Sequence, residues 1–294
     1  ILGKRISNRF CAQPISGRDA NPDGSPSNLT ARRYMRYAQG GFGLIWFEAT
    51  GAIRHPSESK LVLNRSTLPK FQALVGNLRR EAKNDPVIVL QLLSGFKGNA
   101  DDLNDSQIDA LRDSLIEAAS LAAEAGFDGV DVASTSQSLA GKLLSAVHRP
   151  GRYGGSLENR SRFLLEVLGG IRKCSPMLLL ATRLCAYSGV RDGFGVSRSD
   201  YRKTDLTEPL QLVEALEKIG LRLLNITSAS PNLRGVPTER SCHPLNDYDE
   251  PDEHPLTTLE RQLHLAKGLH FSGSSLVCIA SGFSWLRQFT VNVA

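Results

Sequence analysis

"GFDGVDVASTSQSLAGKLLSAV" (residues 126–147) runs from an apolar alternation, through a patch of Ser and Thr, into a helical pattern. A strand handed to a helix across a short polar turn is the repeating unit of an α/β fold. Counting the strand inside this stretch, "FDGVDVAS" (127–134), the chain has seven β-rich runs. The other six are "RFCAQP" (9–14), "FGLIWFEAT" (42–50), "PVIVLQLLS" (86–94), "MLLLATRL" (177–184), "LRLLNITSA" (221–229) and "SLVCIASG" (275–282). Most are near-continuous apolar runs, the pattern of strands covered on both faces in a parallel sheet.

Helical patterns lie between the runs. The clearest is "DSQIDALRDSLIEAASLAAEAGF" (105–127), with Ile108, Leu111, Leu115, Ala118, Ala119 and Ala122 on one face, a start at Asp105/Ser106 and a stop at Gly126. "SLENRSRFLLEVLGGIRK" (156–173), "DLTEPLQLVEALEKIG" (205–220) and "TLERQLHLAKGL" (258–269) follow the same rule. "TARRYMRYAQ" (30–39) and "NLRREAK" (77–83) are the most basic stretches and read as solvated helix faces. Strand then helix, repeated along the chain with right-handed crossovers, leaves two architectures: a (β/α)8 barrel of the TIM type or a doubly wound sheet. The barrel is favoured. No strand is followed by a G-x-G-x-x-G turn, and "GGFGL" (40–44) precedes its strand. A single barrel domain over residues 1–294 is the expectation. The Pro-, Ser- and acid-rich segment 228–256 then reads as an active-site loop rather than a domain boundary.

Composition narrows the function classes. The chain has 294 residues, 41 % of them hydrophobic, enough for a large core. Its 35 basic and 30 acidic side chains give a formal charge of +5, but they are interspersed without a block of like charges, so no nucleic-acid footprint is read. Cys11, Cys174, Cys185, Cys242 and Cys278 lie far apart without a C-x-x-C pair, which argues against a disulfide framework or a zinc or iron–sulfur site and fits a reducing compartment. His243 and His254 flank the Cys242 region without regular spacing, so no metal is expected. No stretch approaches the roughly 18 to 20 apolar residues that cross a bilayer. The expectation is a cytoplasmic protein without a membrane partner.

In a parallel barrel the site is built at the carboxyl ends of the strands. Arg183, inside "LLLATRL", is the most informative residue there. Burying a guanidinium is costly unless it meets an anion or polar ligand, or a carboxylate from a neighbouring strand such as Glu48. Gln91, at the end of "PVIVLQ", offers both an amide donor and an acceptor. "RYGGSLENRSRF" (152–163) reads as a tight Gly154–Gly155 turn with Ser156 as helix N-cap and Glu158 and Arg162 as an i, i+4 pair.

"YGGSLENRSRFLLEV" (153–167), with "NRFCAQPISG" (8–17), "EAGFDGVDV" (124–132), "SGFSWLRQF" (281–289) and the Arg183 strand, resembles the old yellow enzyme family of NADH:flavin oxidoreductases. The resemblance runs over essentially the whole chain. It implies a (β/α)8 barrel that holds FMN at its carboxyl-end face, with NADH or NADPH as reductant and a small-molecule electron acceptor. It also implies flavin contacts. Pro14 and Ser16 fall in the first-strand segment beside the ring, with Ser16 near a flavin carbonyl, and Ala49 lies under the ring. Gln91 falls on the pyrimidine edge, Arg183 beside N1, and Gly282 in the loop whose amides hold the phosphate.

The pattern breaks after the fourth strand. Close relatives carry two histidines that grip the acceptor or nicotinamide and a tyrosine that delivers a proton. Here the segment reads Ala133, Ser134, Thr135, Ser136, Gln137, Ser138, Leu139, leaving Ser134, Ser136 and Ser138 as the substrate-site candidates. A neutral hydroxyl is a weak acid near pH 7, so altered or lost ene-reductase activity is expected. His148 and Tyr187 are the residues that could stand in, and Lys97 is the one charge left in "QLLSGFKGN" (91–99). The family's eighth strand has no counterpart before Ala294. An open sheet exposes two edges, so either the chain continues, or a second copy or partner subunit covers the gap. Two readings follow: an FMN-dependent NAD(P)H:acceptor oxidoreductase, and a non-catalytic barrel relative serving as scaffold or subunit.

Overall fold

The structure, a computed structural model, describes residues 6–53, 60–229, 255–270 and 275–280. Each of the seven runs forms a strand: β1 (Cys11–Ala12), β2 (Leu44–Gly51), β3 (Val87–Leu93), β4 (Gly129–Val132), β5 (Leu179–Cys185), β6 (Leu223–Thr227) and β7 (Val277–Ala280). They belong to one sheet in strictly sequential order. The strand pairs with a described register are all parallel, as in Leu44↔Val87, Val89↔Gly129, Gly129↔Leu179 and Leu223↔Val277. A helix stands in every crossover: α1 (Asn28–Gly40), α2 (Leu68–Glu81), α3 (Asp105–Glu124), α4 (Leu139–Leu144) with α5 (Leu157–Cys174), α6 (Thr207–Lys218) and α7 (Pro255–Leu269).

A doubly wound sheet reverses its strand order at a switch point, and this sheet does not. The fold class is therefore the TIM-type (β/α) barrel expected from the sequence, without an eighth strand among the described residues.

The chain divides into two compact units: Ile1–Lys97, Asp109–Val132 and Val167–Ala181 in the first; Gly98–Ile108, Ala133–Glu166 and Thr182–Ala294 in the second. The core of the first is aromatic. Tyr34 stacks on Phe47 at 3.7 Å between ring centroids, and Phe47 meets the edge of Phe127 at 5.1 Å. Tyr34, Trp46, Phe47 and Phe71 are all fully buried. Ser27 fixes where α1 starts, its side chain accepting the Thr30 amide in a capping box.

In the second unit α3 starts at Asp105, within the expected Asp105/Ser106 start, and the residue before it is the cap. Asn104 accepts the Gln107 amide at 2.9 Å and Gln107 Oε1 accepts the Asn104 amide in return. Asp105 is instead held by Arg149 at 2.9 Å and by the Arg152 amide at 2.9 Å. Gly126 ends the helical run with φ of 90°, the left-handed stop that the sequence indicates. The Ser156 hydroxyl accepts the Asn159 amide at 3.3 Å, and Glu158 pairs with Arg162 at 3.3 Å, both as read from the sequence. Arg160 does what the motif alone did not reveal. Its buried guanidinium donates to the Gly155 and Leu144 carbonyls and to Glu208, tying the tight turn and α4 to α6.

Candidate functional site

In the first unit, the loop after β1 is anchored on the end of β2. Glu48 is buried, and its carboxylate accepts the Gly17 amide at 2.8 Å and the Arg33 guanidinium. Arg33 is shared with Asp19 at 2.6 and 3.1 Å, and Asp19 also accepts the Thr30 hydroxyl at 2.8 Å. The hydrogen bond from Arg33 holds the Asp19 carboxyl below its usual range, against the opposing effect of burial. Burial, with the Glu48 charge nearby, pushes the Tyr34 hydroxyl well up.

The parallel register of β2 and β3 slips between Phe47 and Thr50, so Glu48 and Ala49 sit in an irregularity of the kind that re-aims side chains beside active sites. The clamped loop carries Pro14, buried, and Ser16. Ser16 Oγ is shielded from solvent and has no hydrogen-bond partner among the described residues. A buried hydroxyl left unmatched is uncommon in a folded protein and marks a place where a polar ligand atom is owed.

Gln91 on β3 is buried, and its Nε2 donates to Asp131 Oδ2 at 2.6 Å. Trp46 Nε1 donates to the same oxygen at 2.9 Å. Asp131 is fully buried and was not singled out from the sequence. The signal was present: an acid between two valines in "GVDV", a run otherwise patterned for burial on both faces.

In the second unit the segment after β4 does not present its hydroxyls alike. Ser134 bridges Leu184 in parallel pairing, and its Oγ lies 3.1 Å from Thr182 Oγ1. Since alternate strand residues point to opposite faces, Ser134, Thr182 and Leu184 share one face while Ala133, Arg183 and Cys185 share the other. The sequence reading takes Ser134, Ser136 and Ser138 together as substrate-site candidates, whereas the structure gives the three hydroxyls different surroundings. Ser138 is the N-cap of α4: its Oγ accepts the Gly141 amide at 3.2 Å and donates to the Thr135 carbonyl at 2.8 Å. Ser136 is partly exposed.

Arg183 is buried at the tip of β5. Glu48, the carboxylate considered for it, is bound to Arg33 and Gly17. Cys185, two residues on, has its thiol pushed up to about 11 by burial, with the Arg183 charge a smaller opposing influence. Ser188 Oγ and Thr227 Oγ1 are buried without a hydrogen-bond partner among the described residues.

Tyr187 is fully buried. Its hydroxyl donates to the Tyr201 carbonyl at 3.0 Å, and the Arg261 guanidinium lies over its ring at 4.5 Å. His148 is exposed, 3.6 Å from Asp192. It lines a cleft of about 600 Å³ with Asp192, Arg198, Asp205 and Glu208, which contains none of the expected flavin contacts. Gly282, Cys242, His243, His254 and nearly all of the 228–256 loop lie outside the described residues. Among the described residues no group of three or more His, Cys, Asp or Glu could hold a metal, and no helix is long and apolar enough to cross a membrane.

Comparison with known proteins bears on this geometry. A model of the NADH:flavin oxidoreductase / NADH oxidase family matches residues 98–230. The chain is 27 % identical over 268 residues to a cinnamate reductase of Clostridium sporogenes, an alignment covering 76 % of this chain and 40 % of that protein. It is 25 % identical over 257 residues to an NADPH dehydrogenase of Bacillus pumilus, covering 78 % and 72 %. Among solved structures, an old yellow enzyme from Pichia sp. AKU4542 superposes with a TM-score of 0.62 at 20 % identity, covering 77 % of this chain and 69 % of that one. Morphinone reductase gives 0.61 at 23 % identity, covering 76 % and 69 %. At such identities the superpositions speak for the fold.

Sequential parallel strands with a helix in every crossover, together with these superpositions, define a TIM-type (β/α) barrel. The chain is similar to the old yellow enzyme family in its matched segment and in its fold, and where that resemblance would place two histidines and a tyrosine it carries Ser134, Ser136 and Ser138. It spans about two fifths of the length of the first curated relatives that it matches, covering 40 % and 37 % of them.

Proposed function

We propose that the chain binds FMN and works as an NAD(P)H:acceptor oxidoreductase of the old yellow enzyme type. The observation that carries this reading is Ser16 Oγ, a buried hydroxyl without a partner among the described residues, on the loop where the family resemblance puts a flavin carbonyl contact. By the family resemblance the flavin contacts are Pro14, Ser16, Ala49, Gln91, Arg183 and Gly282, the last outside the described residues. Bound flavin supplies the hydride transfer that side chains cannot perform. Arg183 supplies a fixed positive charge at a strand tip, oriented before negative charge develops on the heterocycle. Pro14 and Ala49 offer close apolar contact without competing polar atoms, and Gln91 offers amide recognition.

The proton-delivery side of the reaction is where this chain departs from its family. Ser138 is committed to the α4 cap, Ser134 lies on the strand face opposite Arg183, and the Tyr187 hydroxyl is held by a backbone carbonyl. Ser136 is the last of the candidates, and a neutral serine is a poor acid near pH 7. The acceptors that suit this site are those whose reduced product takes its protons from water, as a quinone does, rather than alkenes that need a protein acid at carbon.

The test is the visible spectrum of the purified chain and its titration with FMN. Flavin absorbance or stoichiometric uptake supports the reading, and a colourless protein that takes up no added FMN overturns it. The commitment of Ser134 and Ser138 to structural bonds also favours the alternative of a non-catalytic relative acting as scaffold. Rapid NAD(P)H oxidation with a quinone acceptor rules that alternative out.

A further inference from the structure

We infer that Asp131 is a positioning residue that locks the Gln91 amide in one orientation and thereby sets recognition of a donor–acceptor heterocycle edge, here the pyrimidine edge of FMN. The inference rests on the FMN reading above. It starts from an oddity of placement: Asp131 is fully buried in a strand whose neighbours Val130 and Val132 are also fully buried. Taking a carboxylate out of water costs several kcal/mol even after relaxation, so such a group persists where specific donors meet it. Two donors meet one oxygen. Trp46 Nε1 and Gln91 Nε2 both end on Asp131 Oδ2, at 2.9 and 2.6 Å.

The two bonds have different consequences. The indole N–H comes from a rigid, fully buried ring, and it fixes which way the carboxylate is turned. The amide bond then fixes Gln91. A glutamine amide can be reversed at little cost where its surroundings are indifferent, because its oxygen and nitrogen are nearly the same size. Here reversal would bring Oε1 against a carboxylate oxygen, acceptor on acceptor, with both lone pairs buried. Only the orientation with nitrogen toward Asp131 survives. The amide is left with its oxygen and its second N–H as the recognition pair, an acceptor beside a donor. That pair matches the imide N–H and one of its flanking carbonyls on the edge of the flavin pyrimidine, and a reversed amide would present acceptor and donor in exchanged places. The short charge-assisted bond also removes rotamer freedom from Gln91 before a ligand arrives, which lowers the ordering cost of binding.

A purely structural role would satisfy the same two donors, so the test must read recognition as well as stability. Because Trp46 and Gln91 share one oxygen, Asp131→Asn can keep both bonds with its amide oxygen while losing the charge. Asp131→Val removes the acceptor altogether. Each protein is titrated, by quenching of flavin fluorescence, with FMN and with N3-methyl-FMN, which lacks the imide N–H; unfolding of the flavin-free protein is followed in parallel. The wild type should prefer FMN over the methylated probe by about 10-fold or more. Asp131→Asn should retain most of that preference, within about 3-fold, and Asp131→Val should lose it, whatever happens to the melting temperature.

If Asp131→Val aggregates, Asp131→Asn combined with Trp46→Phe serves instead: without the indole donor the introduced carboxamide is free to turn, Gln91 can turn with it, and the preference should collapse. A preference kept at the wild-type level by Asp131→Val, or by that double variant, overturns the inference while leaving the FMN reading intact. A wild type that binds neither flavin overturns the FMN reading, and the inference falls with it.

Discussion

Replacing Glu48 by Leu tests whether the clamp on the β1–α1 loop is electrostatic. The residue is 1 % exposed, and the substitution removes the acceptor of the Gly17 amide at 2.8 Å and one of the two carboxylates around Arg33. A hydrogen bond to a charged group contributes about 1.5–3 kcal/mol. Breaking a buried ion pair outright costs about 3–5 kcal/mol, but Arg33 keeps Asp19 at 2.6 Å and is 22 % exposed, so about 1–2 kcal/mol is the fitting share. Leucine returns about 1.5–2 kcal/mol by burying apolar surface in place of the carboxylate. The net is a destabilisation of about 2 kcal/mol, or a fall in melting temperature of about 4–8 °C for a domain of this size.

Denaturant unfolding followed by circular dichroism, with coincidence against intrinsic fluorescence as a check on two-state behaviour, measures it. Arg33→Met and the double variant complete a cycle in which the coupling should be about 1–3 kcal/mol. FMN affinity should weaken alongside, because Ser16 lies one residue from the clamped amide. A coupling energy indistinguishable from zero would show that the clamp contributes nothing, and the account of the loop would be wrong.

Asp19 adds a pH dependence to the same network. Its folded pKa lies below the ordinary 3.8, so its stabilisation is full above that value and is lost as pH falls through the folded pKa; Arg33→Met should therefore cost more stability at pH 7 than at pH 3. An equal cost at the two pH values in urea titrations counts against it. Tyr187→Phe should change the rate of any NAD(P)H-driven reduction by less than about twofold while costing about 1 kcal/mol, since it removes the bond to the Tyr201 carbonyl. A drop of tenfold or more in steady-state assays would return the hydroxyl to the proton-delivery role. Cys174 is exposed, whereas Cys185 is buried with its thiol raised to about 11, so iodoacetamide at pH 8 should label Cys174 and spare Cys185 in the folded protein. Peptide mapping by mass spectrometry reads both, and equal labelling would contradict the burial.

What the sequence disclosed and what it withheld divide along the range of the interactions. Strand existence and order follow from local apolar runs, and all seven strands fall inside the runs that predict them, but for the last residue of β2 and of β5. Ends set by a single capping residue were less legible: the start of α3 at Asp105 was legible, but its cap Asn104 was not, because only the reciprocal Gln107 bond selects between adjacent cap-forming residues. The face a residue takes was legible once the register was known, and not before. Ser134 reads as one more hydroxyl in a Ser/Thr patch until its pairing with Leu184 turns it toward Thr182 and away from Arg183's face.

The roles of the two buried carboxylates were missed for one reason. Glu48 and Asp131 each sit in an apolar run, where an acid looks like noise in the pattern, and their partners Arg33 and Gln91 are 15 and 40 residues away. Sequence patterning ranks residues by what they are, whereas these two matter for what they hold still. Ser16 and Gln91, named from family likeness, are positioned by Glu48 and Asp131, which that likeness did not name. The buried acid in a parallel strand is thus the more informative signal: where a run patterned for burial on both faces contains one Asp or Glu, the desolvation cost demands donors, and those donors lead to the residues that a ligand must meet.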